Sequence, residues 1–254
     1  MRAVLTIAKR DFLSLVRSPM FLILAAACCG IWSFLYLQGL FRFAAAMSNP
    51  MAAQQGGQNI QYTVFLQHIS VVHLIILFLV PIFTMWLLSH EKKQRTYDLL
   101  LTSPISATQI ALGKFLGGWA TIAALILFAS VYPVTTGLVA DISWPPLIAA
   151  LGGLFVISGF YVAVGLFASS LTESIITSFF LAVLFNLAIW FMGSSSQSVD
   201  SEWASNLLAH VSIGQQFYGF LKGTIKISTI TFFATAIAFF VFLTQRVVES
   251  SRWR

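Results

Sequence analysis

Charged residues are so sparse in this chain that each cluster of them can be read for chemistry. Between residues 90 and 114, Glu91 and Arg95 are spaced i, i+4 and Arg95 and Asp98 i, i+3. On a helix those pairs meet along one face. Lys92 and Thr96 lie within the same stretch, and Tyr97, Leu99, Leu100 and Leu101 supply apolar surface toward its end. Ser103-Pro104 stops this short helix, and Ser106-Ala107-Thr108-Gln109 has the form of a capping box opening the next one. A helix charged on one side and apolar on another can dock a protein, the charges setting register and the leucines supplying contact energy. A solvated basic loop would show the same spacing, so the spacing alone leaves both readings open.

Other chemistries find no residues to carry them, and no catalytic residue is assigned. Gly113-Lys114 lacks the upstream glycine and the following Ser or Thr that a phosphate-cradling loop requires, so the chain is not expected to hydrolyse ATP itself. His68 and His73 are five apart with no carboxylate or Cys beside them, which argues against a metal or haem site. Cys28 and Cys29 are adjacent in an apolar run and read as small hydrophobes. No ionisable residue falls near the middle of a long apolar run: Lys114 sits at the mouth of one and Glu173 in a short hairpin between two. Proton relays and ion-coupled carriers place charges within the membrane, so their absence argues against a secondary transporter.

The elements that must position these residues follow from composition. Of 254 residues, 9% are charged, 58% are apolar and 24 are Phe, too little charge to coat a soluble domain. A bilayer core needs about 20 apolar residues per helix. Six stretches qualify, at residues 20–40, 69–89, 115–139, 146–168, 175–192 and 227–244. The expected fold is therefore an all-α polytopic membrane domain over residues 1–254. With the N-terminus inside, the inner segments hold 11 of the 14 basic residues and the outer ones only Arg42, Lys222 and Lys226. That asymmetry places both termini in the cytoplasm. The net charge of +6 is clustered between apolar runs rather than spread over a face, so nucleic acid is not an expected partner.

Residues 1–18 are patterned before the first span. Leu5, Ala8, Phe12, Leu15 and Val16 recur at helical spacing, with Arg2, Thr6, Lys9, Arg10 and Arg17 on the other side. Such a helix lies in the interface with its basic face toward anionic headgroups, making membrane lipid a partner. A generic basic lead-in is the alternative. Ser18-Pro19 breaks it before the first span. Residues 41–68 read as an irregular outer loop. In residues 193–226, Trp203 and Leu207 mark one apolar helical face and Phe217 and Phe220 a second, as in short helices that dip into or lie on the bilayer, and packing against a partner subunit would give the same pattern.

In order and spacing, these segments resemble the ABC type-2 permease family. Ile7-Ala8-Lys9-Arg10-Asp11-Phe12 through Arg17-Ser18-Pro19 resembles that family's elbow helix. Residues 91–106, followed by Leu112-Gly113-Lys114-Phe115, resemble its loop between spans two and three, best in the branch that includes gliding-motility permeases. Residues 217–225 are similar to that branch's aromatic, basic-Gly segment, except that Lys226 stands where an acidic residue often follows.

The resemblance implies an exporter subunit that works with a second permease copy or a homologous permease. An ATPase subunit would dock beneath each, with ATP and Mg held there and no cofactor in this chain. By the same resemblance the 90–114 loop carries a coupling helix. Glu91, Lys92, Arg95, Thr96, Asp98, Leu99 and Leu100 are its expected coupling residues, and Glu173 a secondary contact. Lys9, Arg10 and Arg17 would face the same partner and the inner leaflet. A non-transporting anchor or mechanical relay of an ATPase-driven envelope machine fits the same residues. A polytopic membrane enzyme does not, because no polar cluster shares one membrane depth.

Overall fold

In hydrocarbon every backbone N–H and C=O must find its partner within the chain, so a sequence this apolar has helices as its way to span. The computed structural model describes residues 2–48, 59–102, 104–194 and 212–253, and no strand occurs among them. Helix α1 covers Arg2–Val16 and α2 Pro19–Met47. A π-helical turn at Gln61–Phe65 leads into α3, Leu66–Thr84. Two short helices follow, α4 at Ser89–Lys93 and α5 at Tyr97–Thr102. The remainder is α6 (Ala107–Val139), α7 (Trp144–Leu171), α8 (Ile175–Ser194), α9 (Ile213–Leu221) and α10 (Ile227–Ser250), closed by a 3₁₀ turn at Ser251–Trp253. Among the described residues five helices are long and apolar enough to cross a membrane, and α8 is a shorter apolar one. The chain is an all-α polytopic membrane protein.

Helix α7 is the axis of the bundle. Every residue from Ile157 to Leu166 is buried, and α3, α6, α8, α9 and α10 all pack on it. Small residues allow this closeness. A Cβ added at Gly153 would lie 2.4 Å from the Phe220 ring of α9, and one at Gly165 would lie 2.3 Å from Thr84 Oγ1 of α3. Gly153→Leu is accordingly expected to displace α9 and lower stability by about 1–3 kcal/mol, the usual cost of overpacking, seen as a lower thermal unfolding midpoint in detergent.

Several helix ends differ from the expected span bounds, α6 beginning at Ala107 and α10 running to Ser250 among them. The first span continues to Met47 and the second begins at Gln61, so the outer loop is cut back from both sides. Gln61 fixes that start: its Nε2 donates to the Ser143 carbonyl at 2.9 Å, and Ser143 Oγ donates back to Gln61 Oε1 at 2.6 Å. His68 and His73 therefore lie within the helical run and are buried, His68 Nε2 against the Ala129 carbonyl (3.0 Å) and His73 Nε2 against Tyr161 Oη (2.9 Å). At the other end α3 stops at Thr84, three residues past Pro81, which removes a backbone donor from the helix interior.

Of the outer amphipathic residues, Phe217 and Phe220 lie on α9 and are buried; the Phe217 ring packs against that of His73, tilted by 40° with centroids 4.5 Å apart. Trp203 and Leu207 lie outside the described residues.

Candidate functional site

Helix α1 lies along the start of α6, and two glycines one turn apart explain why. Built Cβ atoms would meet Ile7 at 2.8 Å from Gly113, and the Ala8 carbonyl at 3.0 Å from Gly117. This G-x-x-x-G spacing lets two backbones approach closely. The buried face of α1 therefore centres on Ile7 and Asp11. The expected apolar stripe was rotated relative to this face, and Leu5, one of its members, is 64% exposed.

Between the two glycines Lys114 points into the contact with its side chain 1% exposed. Its Nζ lies 3.2 Å from Asp11 Oδ2 and 2.8 Å from Glu91 Oε2. Arg10 closes the circuit: its Nη2 is 2.7 Å from Glu91 Oε1 and 2.9 Å from Asp11 Oδ1. The result is a ring of alternating charge joining α1, α4 and α6. Burial disfavours the Arg10 charge, but Asp11 and Glu91 outweigh that and raise the guanidinium pKa above its ordinary value.

The expected pairing of Glu91 with Arg95 along one helix does not occur. Helix α4 ends at Lys93, Thr96 N–H bonds the Glu91 carbonyl, and Arg95 N–H bonds that of Lys92. Those two bonds form a Schellman cap with Arg95 in the left-handed position (φ 58°) that glycine usually fills. Arg95 is thereby exposed, while Glu91 turns inward to two cations in a poorly hydrated site. The 97–102 helix is a separate element, α5. It carries Asp98 and Leu99, whose side chains lie outside the described residues, so the Arg95–Asp98 pair cannot share one continuous helix.

Other contacts fix α4 and the segment around it. Ser169 Oγ at the end of α7 accepts from the Leu88 and Ser89 amides (3.2 and 3.0 Å), capping α4 from outside. Lys92 Nζ donates to the Ser170 carbonyl and lies 5.3 Å from the Tyr97 ring centroid. Its charge also feels Glu173, which is exposed in the connection between α7 and α8. Thr96 is exposed and Leu100 half-buried. The Ser106 capping box forms in both directions, Gln109 N to Ser106 Oγ at 3.2 Å and Ser106 N to Gln109 Oε1 at 3.1 Å. The Arg252 guanidinium donates to the Ile105 carbonyl just before it, so the C-terminal turn also holds this segment.

Of the residues expected from sequence, the fold thus pairs Arg10 with Glu91, while Lys92 bonds the Ser170 carbonyl and feels Glu173 only at longer range. Lys9 and Arg17 are left exposed, and Phe217 and Phe220 lie with α9, away from the ring. Asp11, Gly113, Lys114, Gly117 and Arg252 join the site without being among its expected residues. The G-x-x-x-G spacing, with a lone lysine inside it at the start of an apolar helix, is the signal for three of them, Gly113, Lys114 and Gly117.

The ring, the elbow-like α1 and the two short helices belong to one end of a six-helix apolar bundle. No curated protein matches the chain. The family model for ABC-2 family transporter proteins matches residues 5–252, a span that includes every contact in this site. The chain belongs to that family and is a membrane-spanning permease component of an ABC transporter.

Proposed function

We propose that the chain forms half of the membrane path of an ATP-driven exporter, and that residues 90–114 receive the force. The carrying observation is the ring at Glu91. Through it, a displacement of the exposed loop pulls on α1 and on α6 together, while Ser169 and Lys92 link the same loop to α7. A loop tied to three elements moves as a lever with them, as rigid-body transport models require.

In this reading a separate ATPase subunit holds ATP and Mg and docks on Arg95, Thr96, Asp98, Leu99 and Leu100, with Glu173 at its edge. The protein lies in a bacterial inner membrane with both termini cytoplasmic, paired with a second copy or a homologous permease. The loop's residue pattern supports placing it in the branch that includes gliding-motility permeases. The aromatic-rich spans suit a lipid-linked, polymeric or amphipathic cargo.

Arg95→Glu combined with Leu99→Ala tests the docking. The variant is expected to insert normally and to lose the ATPase subunit in a pull-down; an intact complex would remove this assignment. Cargo-stimulated ATP hydrolysis in reconstituted vesicles separates export from a mechanical relay, whose hydrolysis would be indifferent to every candidate cargo.

A further inference from the structure

A crevice of about 850 Å³ opens between α1, the Ser18-Pro19 turn and the end of α3, with the charged ring as one wall. That volume is within the range of small-molecule sites. Its lining also includes the apolar side chains of Met20, Phe83 and Leu87. A cavity that offers both charged and apolar side chains matches a ligand that carries both.

The unused hydrogen-bonding capacity of the crevice decides the sign of the ligand's polar part. Asp11 and Glu91 are already engaged by Arg10 and Lys114. Trp86 Nε1 and His90 Nδ1 are buried and have no hydrogen-bond partner among the described residues; their rings lie 4.5 Å apart. An indole N–H can only donate. The Arg10 side chain is 53% exposed, and its Nη1 takes no part in the bonds to Asp11 and Glu91. Trp86 Nε1 and the free Arg10 Nη1 can only donate, and His90 Nδ1 donates in the tautomer that carries its proton there, so a ligand that satisfies them brings acceptors.

We infer that this crevice binds an anionic phospholipid from the adjoining leaflet, its phosphate toward Arg10, Trp86 and His90 and its acyl chains along Met20, Phe83 and Leu87. The crevice lies where α2 begins and α3 ends, which in the proposed orientation is the inner boundary where headgroups meet chains. The inner segments of the sequence hold 11 of the 14 basic residues, which draws anionic lipid to that face. A free phosphate would leave the apolar side chains wet.

Native mass spectrometry of the full chain in detergent tests this, with phosphatidylglycerol as probe. Diacylglycerol (chains without phosphate) and inorganic phosphate (phosphate without chains) are the comparators. Phosphatidylglycerol is expected to be retained over both. Trp86→Phe keeps the ring and removes the donor, and should weaken retention about three- to tenfold, the worth of one hydrogen bond. Met20→Trp fills the crevice from an apolar position without altering the ring and should abolish retention, with α1 as resistant to trypsin as before. Equal retention of diacylglycerol, or retention indifferent to both substitutions, overturns the proposal in favour of unspecific belt lipid. Inorganic phosphate binding with the same dependence on Trp86 overturns it in favour of a plain anion site. If Met20→Trp keeps the lipid and loses the ATPase subunit instead, the crevice belongs to that partner's interface.

Discussion

Lys114→Met is expected to release α1 from the bundle. The substitution keeps the length and apolar body of the side chain and removes the ammonium. Two carboxylates, Asp11 and Glu91, are then left facing each other without the buried cation that lay 3.2 and 2.8 Å away. Breaking a buried ion pair by removing one partner costs about 3–5 kcal/mol, because the remaining charge is stranded. Arg10 offsets only part of this, since its guanidinium is half in solvent. The helix that can leave is α1, for α4 is held independently by Ser169 and Lys92. Cleavage by trypsin at Lys9 and Arg10 in detergent should therefore accelerate by two orders of magnitude or more, about 1.4 kcal/mol corresponding to each tenfold in the open population. Asp11→Asn added to Lys114→Met should recover part of the protection, because one stranded charge is gone. If Lys114→Met is cleaved no faster than the unmodified chain, the ring does not hold the elbow helix.

How far the sequence could foretell this site depends on whether its signals were local. Apolar runs and the basic asymmetry are properties of single segments, and they sufficed for the class and for the helices. The Ser106 capping box is equally local, a matter of two residues three apart, and it forms as expected. Ser18 likewise accepts from the Phe21 amide and opens α2. Glu91 is the opposite case. Its spacing to Arg95 offers a partner four residues away, yet its real partners are Arg10 and Lys114, 81 and 23 residues distant in the chain. A helix-face argument assumes that the helix continues, and nothing in Gln94-Arg95-Thr96 advertises a left-handed cap where no glycine stands.

Asp11 was obscured in a similar way. On the periodicity of α1 alone it falls between the apolar and basic sides, and only the close approach of α6 makes it a buried residue. The second span's early start has the same origin, since Gln61 is secured by Ser143 from a distant hairpin. Where the deciding partner is non-local, residue type and spacing named candidates without choosing among them.

Gly117→Leu should produce the same release by a different route, leaving all four charges in place. A Cβ at this position would sit 3.0 Å from the Ala8 carbonyl oxygen and 3.1 Å from Asp11 Cβ, tighter than ordinary contact. The obstructing atoms belong to backbone or lie next to it, so no side-chain rotation relieves them. The larger body of leucine then forces α1 away from α6 as a unit. Overpacking of this kind costs about 1–3 kcal/mol. Here the displacement also stretches the 3.2 Å Asp11–Lys114 pair, so the loss falls at the upper end or beyond it. Protease release of α1 should approach that of Lys114→Met, whereas Gly30→Leu, where a built Cβ meets nothing within 4 Å, should leave it unchanged. The double variant Lys114→Met/Gly117→Leu distinguishes one docking event from two. If close approach and the charged ring are parts of a single contact, the helix is already free in either variant and the second substitution adds little. Losses that simply add would mean that the glycines and the ring hold α1 separately, and that a pull on Glu91 need not reach α6 through the elbow.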